Sequence, residues 1–241
     1  MIRLEKKYSL RASDFDRYDN LHPHAVLDLF QDIAGLHASQ LHIGYEDFIA
    51  KDLIWVLVRS RYEVLSKIPF QSEVTVVTWP HVPGKVDFDR DYLIYDGSGK
   101  VCVRGSSKWC VCNYKTRRIA LGASVSYGQD DYCEDVVYPD GIGKVRPFSS
   151  EGLAGEEGEV TYCDLDHNGH ANNTKYAVYI LDSLRKTEKR PVTEFSIDYL
   201  REMQQGQKFR LLSVKDGDVY SYKCLSGDVE FFRASLRVAE E

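Results

Sequence analysis

The sequence predicts an α+β fold of two tandem repeats, each a helix wrapped by an antiparallel sheet. Most of the 241 residues fall into alternating or β-rich runs bounded by glycine-containing turns. Only two segments have the pattern of substantial helices. The order strand, polar loop, helix and then about four strands occurs twice, as expected of an internal duplication.

In the first half, the helix follows Pro23, a residue suited to a helix's first turn, with Leu29, Ile33 and Leu36 at i, i+4 and i+7. It is expected to stop near Gly44. Trp55–Leu65 and Val74–Trp79 are β-rich. Val86, Phe88, Tyr92 and Ile94 then alternate with Asp87, Asp89, Asp91 and Leu93, nearly the period of a half-buried strand. Asp96-Gly97-Ser98-Gly99 turns the chain into Lys100–Asn113.

In the second half, Asn172 or Asn173 is a good N-cap for a helix running to about Arg185. Its Ala177–Leu181 run is apolar on every side, which predicts a helix buried all round. Strands are expected at Phe195–Tyr199, Phe209–Val214, Val219–Leu225 and Val229–Val238, turned by Asp216-Gly217 and Ser226-Gly227-Asp228.

The expected division is a first repeat at 1–121, a join at 122–155 rich in Gly, Ser, Asp and Glu, and a second repeat at 156–241. Asp16-Arg17-Tyr18-Asp19-Asn20 stands before the first helix as Asp166-His167-Asn168-Gly169-His170 stands before the second. Asp16 matches Asp166. Opposite Asn168, His170 and Glu202, however, the first repeat has Tyr18, Asn20 and Lys67. Chemistry confined to one site would therefore belong to the second repeat.

Composition narrows the function. Hydrophobic content of 43% and charged content of 28% are those of a globular protein, and a net charge of −6 argues against general nucleic-acid binding. No apolar run approaches the ~20 residues of a bilayer span, and no signal-peptide core opens the chain, so the expected address is the cytoplasm, without a membrane partner. The six cysteines have no small-scaffold spacing and fit reduced thiols there. Two candidate metal clusters, Cys110-x-Cys112 on one strand face and His22-Pro23-His24, lack a second pair, so neither a metal nor another cofactor is expected. There is no Gly-x-Ser-x-Gly elbow, phosphate-binding loop or dinucleotide fingerprint.

The stretch from Asp164 to Asn173 packs two carboxylates, three amides and two imidazoles into ten residues. At a helix start such groups can activate water and stabilise an oxyanion, although any one of them is more often a structural cap. The motif Asp164-Leu165-Asp166-x-Asn168-x-His170-x-Asn172-Asn173-x-Lys175-Tyr176, with Tyr199-Leu200-Arg201-Glu202, resembles the acyl-acyl carrier protein thioesterases of plants and bacteria. In the first half the likeness rests on Leu53-Ile54-Trp55-Val56, on Glu73–Trp79, and on Ser107-Lys108-Trp109 followed by Thr116-Arg117-Arg118.

The resemblance implies two hotdog repeats and hydrolysis of acyl-carrier-protein thioesters without a cofactor. It makes Asp166, Asn168, His170 and Glu202 the catalytic set. Where plant members often carry a cysteine after the glutamate, this chain has Met203, which cannot attack a thioester. A carboxylate mechanism is therefore expected, with Glu202 as general base on the strand side facing the helix or Asp166 as nucleophile. The plant members' plastid-targeting extension has no counterpart here, as a bacterial cytoplasmic enzyme would require.

An acyl-coenzyme A thioesterase and a non-catalytic acyl-binding protein are the alternatives. The expected partner is acyl carrier protein, docked by the basic clusters Lys115–Arg118 or Arg185–Arg190 if these are more than solvated faces. Val26, Leu29, Phe30 and Ile33 are candidate acyl-pocket walls, and Trp55, Trp79 and Trp109 core or cavity lining. Monomer and homodimer both remain open, as does chain-length preference.

Overall fold

The computed structural model describes residues 2–122, 125, 128 and 131–240. The chain divides into two compact units, Met1–Ile142 and Gly143–Glu241.

The first unit contains β1 (Leu4–Ser9), α1 (Pro23–Gln40), α2 (Tyr45–Ile49), β2 (Leu53–Val64), β3 (Glu73–Pro80), β4 (Asp87–Tyr95) and β5 (Val101–Asn113). The strands form an antiparallel sheet in the order β1-β3-β4-β5-β2. Helix α1 packs on one face. Its Phe30 stacks on Tyr92 of β4 at 4.1 Å between ring centres and meets Tyr62 of β2 edge-on at 6.4 Å. Gly105 of β5 makes room for that ring, since a Cβ there would lie 2.4 Å from Phe30. Val26 and Ile33 are buried beside it. Trp79 is buried, and Trp55 and Trp109 are half-buried around a cluster that includes Phe48 and Phe88.

Gly44 does not end the first helix. Helix α1 closes at Gln40, and Gly44 instead opens α2, its N–H bonded to the Asp47 carboxylate at 3.0 Å.

The alternating strand β4 is covered on both faces, not one. Arg90, on the α1 side, donates to His37 Nδ1 at 3.0 Å and is 7% exposed. Asp91, on the other side, is 1% exposed because residues 131–142 cross that face. There the Val137 N–H reaches Asp91 at 2.6 Å, and His81 Nε2 lies 2.8 Å from the same carboxylate. Trp79 Nε1 donates to the Asp135 carbonyl at 2.8 Å and Arg59 to that of Ile142 at 2.8 Å. Part of the stretch expected as a join thus packs into the first unit. The buried Asp91 is stable there because donors meet its carboxylate.

The second unit contains β6 (Glu156–Glu159), a 3₁₀ turn at Tyr162–Asp164, α3 (Lys175–Leu184), β7 (Val192–Tyr199), β8 (Lys208–Asp216), β9 (Val219–Ser226) and β10 (Val229–Val238). The order is β7-β10-β9-β8-β6, again antiparallel. Helix α3 begins at Lys175, not at Asn172 or Asn173. Asn172 uses its side-chain oxygen to accept the Thr174 N–H at 3.0 Å, and its carbonyl accepts the Lys175 N–H at 2.9 Å, forming a turn ahead of the helix. Nor is α3 buried all round. Tyr176, Ala177, Ile180, Leu181 and Leu184 face the core, while Val178 and Tyr179 are half-buried and Asp182 is exposed. Tyr176 stacks on Phe232 of β10 at 5.0 Å. Among the described residues, no helix is long and apolar enough to cross a membrane.

Candidate active site

The loop before α3 is a short closed turn. Leu165 bridges Ala171, the Asp166 N–H donates to the His170 carbonyl at 2.9 Å, and the Gly169 N–H donates to the Asp166 carbonyl at 3.0 Å. Gly169 sits at φ +79°, in the left-handed region that suits glycine. Within the turn, one Asp166 carboxylate oxygen accepts the Asn168 backbone N–H at 2.8 Å. The other lies 3.4 Å from Asn168 Nδ2. An amide carries two N–H groups, so Asn168 can hold Asp166 with one and face a ligand oxygen with the other.

Glu202 lies beyond the end of β7, in the segment leading towards β8, and not on a strand. The N–H groups of Leu200 and Arg201 both donate to the Phe231 carbonyl, at 2.9 and 3.1 Å. The Met203 carbonyl accepts the Ala171 N–H at 2.8 Å, and His170 bridges Gln204. These backbone bonds lay the Glu202 segment along the loop. His170 Nε2 comes 3.5 Å from Glu202 Oε2, with the two side chains 23% and 41% exposed. All four expected residues therefore meet at one solvent-reachable spot. Met203, at 0% exposure, is buried in the core.

Tyr176, in the first turn of α3, was not singled out from sequence. Burial pushes its phenol well above the ordinary value, the Glu202 and Asp166 charges add to the shift, and a hydrogen bond from the Met203 backbone opposes it. The phenol therefore stays protonated. Its position within Lys175-Tyr176, at the end of the polar motif, was the available signal.

Three backbone N–H groups at the start of α3 are already engaged. The Thr174, Lys175 and Ala177 N–H groups are taken by Asn172 and Thr174 oxygens, at 3.0, 2.9 and 3.2 Å. The Asn168 amide and His170 offer side-chain donors at the site.

The basic run after α3 is paired in part with nearby groups. Arg185 donates to the Arg190 carbonyl at 2.8 Å, Lys186 pairs with Glu156 at 2.6 Å, and Arg190 binds Glu188 at 2.8 Å and Asp218 at 2.7 Å. Glu188 also accepts the Tyr220 hydroxyl at 2.7 Å, and the Arg190 guanidinium holds its carboxyl far below the usual range. Lys186 and Lys189 remain exposed, so part of that run's charge faces solvent. In the other cluster, Lys115 pairs with Asp52 at 2.8 Å, while Arg117 and Arg118 are exposed. The His22 and His24 rings stack 4.7 Å apart. Among the described residues, no three His, Cys, Asp or Glu side chains converge as a metal site.

Comparison with known proteins gives this geometry a family. The acyl-ACP thioesterase N-terminal domain matches residues 2–123 and the C-terminal domain matches residues 152–229. The chain belongs to the acyl-ACP thioesterase family. It is 27% identical over 93% of its length to the palmitoyl-acyl carrier protein thioesterase of Arabidopsis thaliana. It is 25% identical, again over 93%, to an acyl-[acyl-carrier-protein] hydrolase of Cuphea viscosissima. In each case it spans 58% of the relative's length. Among solved structures, the 12:0-ACP thioesterase of Umbellularia californica superposes with a TM-score of 0.89 at 21% identity, covering 100% of this chain and 98% of that one. An acyl-ACP thioesterase of Bacteroides thetaiotaomicron gives 0.88 at 21% identity, covering 98% of each chain. These likenesses establish the fold as the hotdog type, present here as two tandem repeats.

Proposed function

We propose that the chain hydrolyses acyl-acyl carrier protein thioesters to free fatty acid and carrier protein, with Asp166, Asn168, His170 and Glu202 as its catalytic groups. The observation that carries this reading is the 3.5 Å approach of His170 to Glu202 beside the Asp166–Asn168 turn. Glu202, as general base, takes a proton from water, which adds to the thioester carbonyl. His170 positions that water, and the second N–H of Asn168 faces the developing oxyanion. Collapse of the tetrahedral intermediate expels the thiolate, which takes up a proton. Both Asp166 oxygens face Asn168, so attack by Asp166 would first require the turn to open. This favours the base role of Glu202 over an acyl-Asp166 anhydride.

The names of the plant relatives support a carrier-protein substrate, and no cofactor enters the mechanism. The test is thiol release from acyl-carrier proteins of graded chain length, alongside matching acyl-coenzyme A, for wild type and Glu202→Gln. Turnover on carrier-protein substrates that vanishes in the variant is expected. Activity confined to coenzyme A substrates would replace the partner. Acyl binding without hydrolysis would make this a binding protein.

A further inference from the structure

The first unit's sheet carries a second chemical feature on the face away from α1. Cys110 and Cys112 of β5 flank Val111, which is fully buried towards the helix side, so both thiols project from the opposite face. Strand β5 is paired on both sides. Cys110 stands across from Val56 and Asp87, and Cys112 across from Ile54. This two-sided ladder fixes the backbone separation of the cysteines at about 6.6 Å, two strand rises. The sulfurs lie 3.9 Å apart, and both residues are half-buried.

That spacing suits one chemistry better than another. A disulfide needs Cβ atoms about 3.5–4.5 Å apart and an S–S bond of about 2.05 Å, whereas same-face side chains two residues apart leave a strand about 6.6 Å apart. Forming one here would contract the strand and disturb both ladders. A tetrahedral cation with metal–sulfur bonds of about 2.3 Å sets two of its sulfurs about 3.8 Å apart. The observed separation is close to that edge.

We propose that Cys110 and Cys112 form a two-thiolate clamp for a thiophilic d¹⁰ cation of the Cd²⁺ or Zn²⁺ class. Water or an external thiol fills the remaining coordination positions. Asp87 lies directly across from Cys110, but Lys108 holds its carboxylate at 2.6 Å, and among the described residues no third donor completes a set. Binding exchanges two S–H bonds for two metal–sulfur bonds and releases two protons per ion. Soft ligands of this kind select against Mg²⁺ and Ca²⁺.

The experiment titrates Cd²⁺ into the full chain by calorimetry in buffers of different ionisation enthalpy, while following the near-ultraviolet sulfur-to-cadmium absorption. Wild type, Cys110→Ser, Cys112→Ser and Cys163→Ser are compared, Cys163 being an exposed cysteine elsewhere. One ion per chain and two released protons are expected in wild type and in Cys163→Ser. Affinity should fall by at least about 100-fold in either other variant, more than the 10–100-fold that loss of an outer-shell partner brings. The proposal is overturned if wild type shows no such absorption, if either single variant binds as wild type does, or if Cys163→Ser abolishes binding. Far-ultraviolet circular dichroism checks each fold, with Cys110→Ala and Cys112→Ala replacing a serine variant that fails to fold.

Discussion

The loops that precede α1 and α3 fold the same way and carry different chemistry. In the first, the Asp16 N–H donates to the Asn20 carbonyl at 2.8 Å, and the Asp16 carboxylate accepts the Tyr18 N–H at 2.8 Å and the Asn20 N–H at 3.0 Å. In the second, Asp166 pairs with His170 at 2.9 Å and accepts the Asn168 N–H at 2.8 Å. The fourth residue of each turn is left-handed, Asp19 at φ 59° and Gly169 at φ 79°. Aspartate is thus the device that builds the turn in both repeats. An aspartate that does the same work in a loop lacking histidine and glutamate cannot by itself mark catalysis. The distinguishing groups are Asn168, His170 and Glu202, where the first repeat offers Tyr18, Asn20 and Lys67.

The largest effect should come from removing the group with no counterpart. Glu202→Gln is expected to lower kcat by about 10²–10⁴. Its side chain is 41% exposed, so the melting temperature should stay within a degree or two of wild type. A variant that unfolds, or one that turns over normally, would remove Glu202 from the proposed mechanism.

His170→Asn converts the second loop to the first loop's residue at that position. The backbone bond between Asp166 and residue 170 survives, because it uses a carbonyl, and Asn20 shows that asparagine fits such a turn. Activity is expected to fall by about 10²–10³, the scale of a lost oxyanion or positioning donor. Steady-state kinetics should place the loss in kcat rather than KM. A loss in KM alone would make His170 a binding residue.

The paired aspartates separate architecture from chemistry. Asp16→Ala and Asp166→Ala each remove a carboxylate that accepts backbone N–H groups, and each should destabilise its unit by about 1–2 kcal/mol. Denaturant unfolding measures that term. Only Asp166→Ala should also reduce turnover, through the freed Asn168 amide. Equal activity losses would mean that the first loop also takes part in catalysis.

These contrasts show what the sequence could carry. Strands whose patterns were local were legible from it; Val229–Val238 was placed at its observed limits, and Lys100–Asn113 to within one residue. Features set by partners were not. The sequence of β4 has the alternation of a half-buried strand, and only the packing of residues 131–142 against it explains why Asp91 is buried. The start of α3 was misplaced because Asn172 has two uses, as a cap and as the acceptor of a turn, and the backbone chose the second. For the site, motif and family resemblance named the four polar residues. The Tyr176 phenol needed the fold, because its proximity to Glu202 arises only when the segment after β7 returns along the loop.

The smallest expected effect concerns the left-handed residue that both turns require. A Cβ built on Gly169 meets nothing within 4 Å, so crowding does not explain the glycine there. What remains is the backbone conformation itself, which disfavours a side chain at positive φ by about 1 kcal/mol. Gly169→Ala should therefore destabilise the second unit by about that amount. Asp19→Gly should change the first by less than about 0.5 kcal/mol, since strain relief offsets the greater freedom of the unfolded chain. Turnover measured alongside stability sharpens the comparison. If Gly169→Ala lowers activity far more than its stability loss explains, the turn is holding Asn168 and His170 in register. If activity is unchanged, the turn tolerates small shifts and the hydrogen bonds of Asp166 alone keep the site in place.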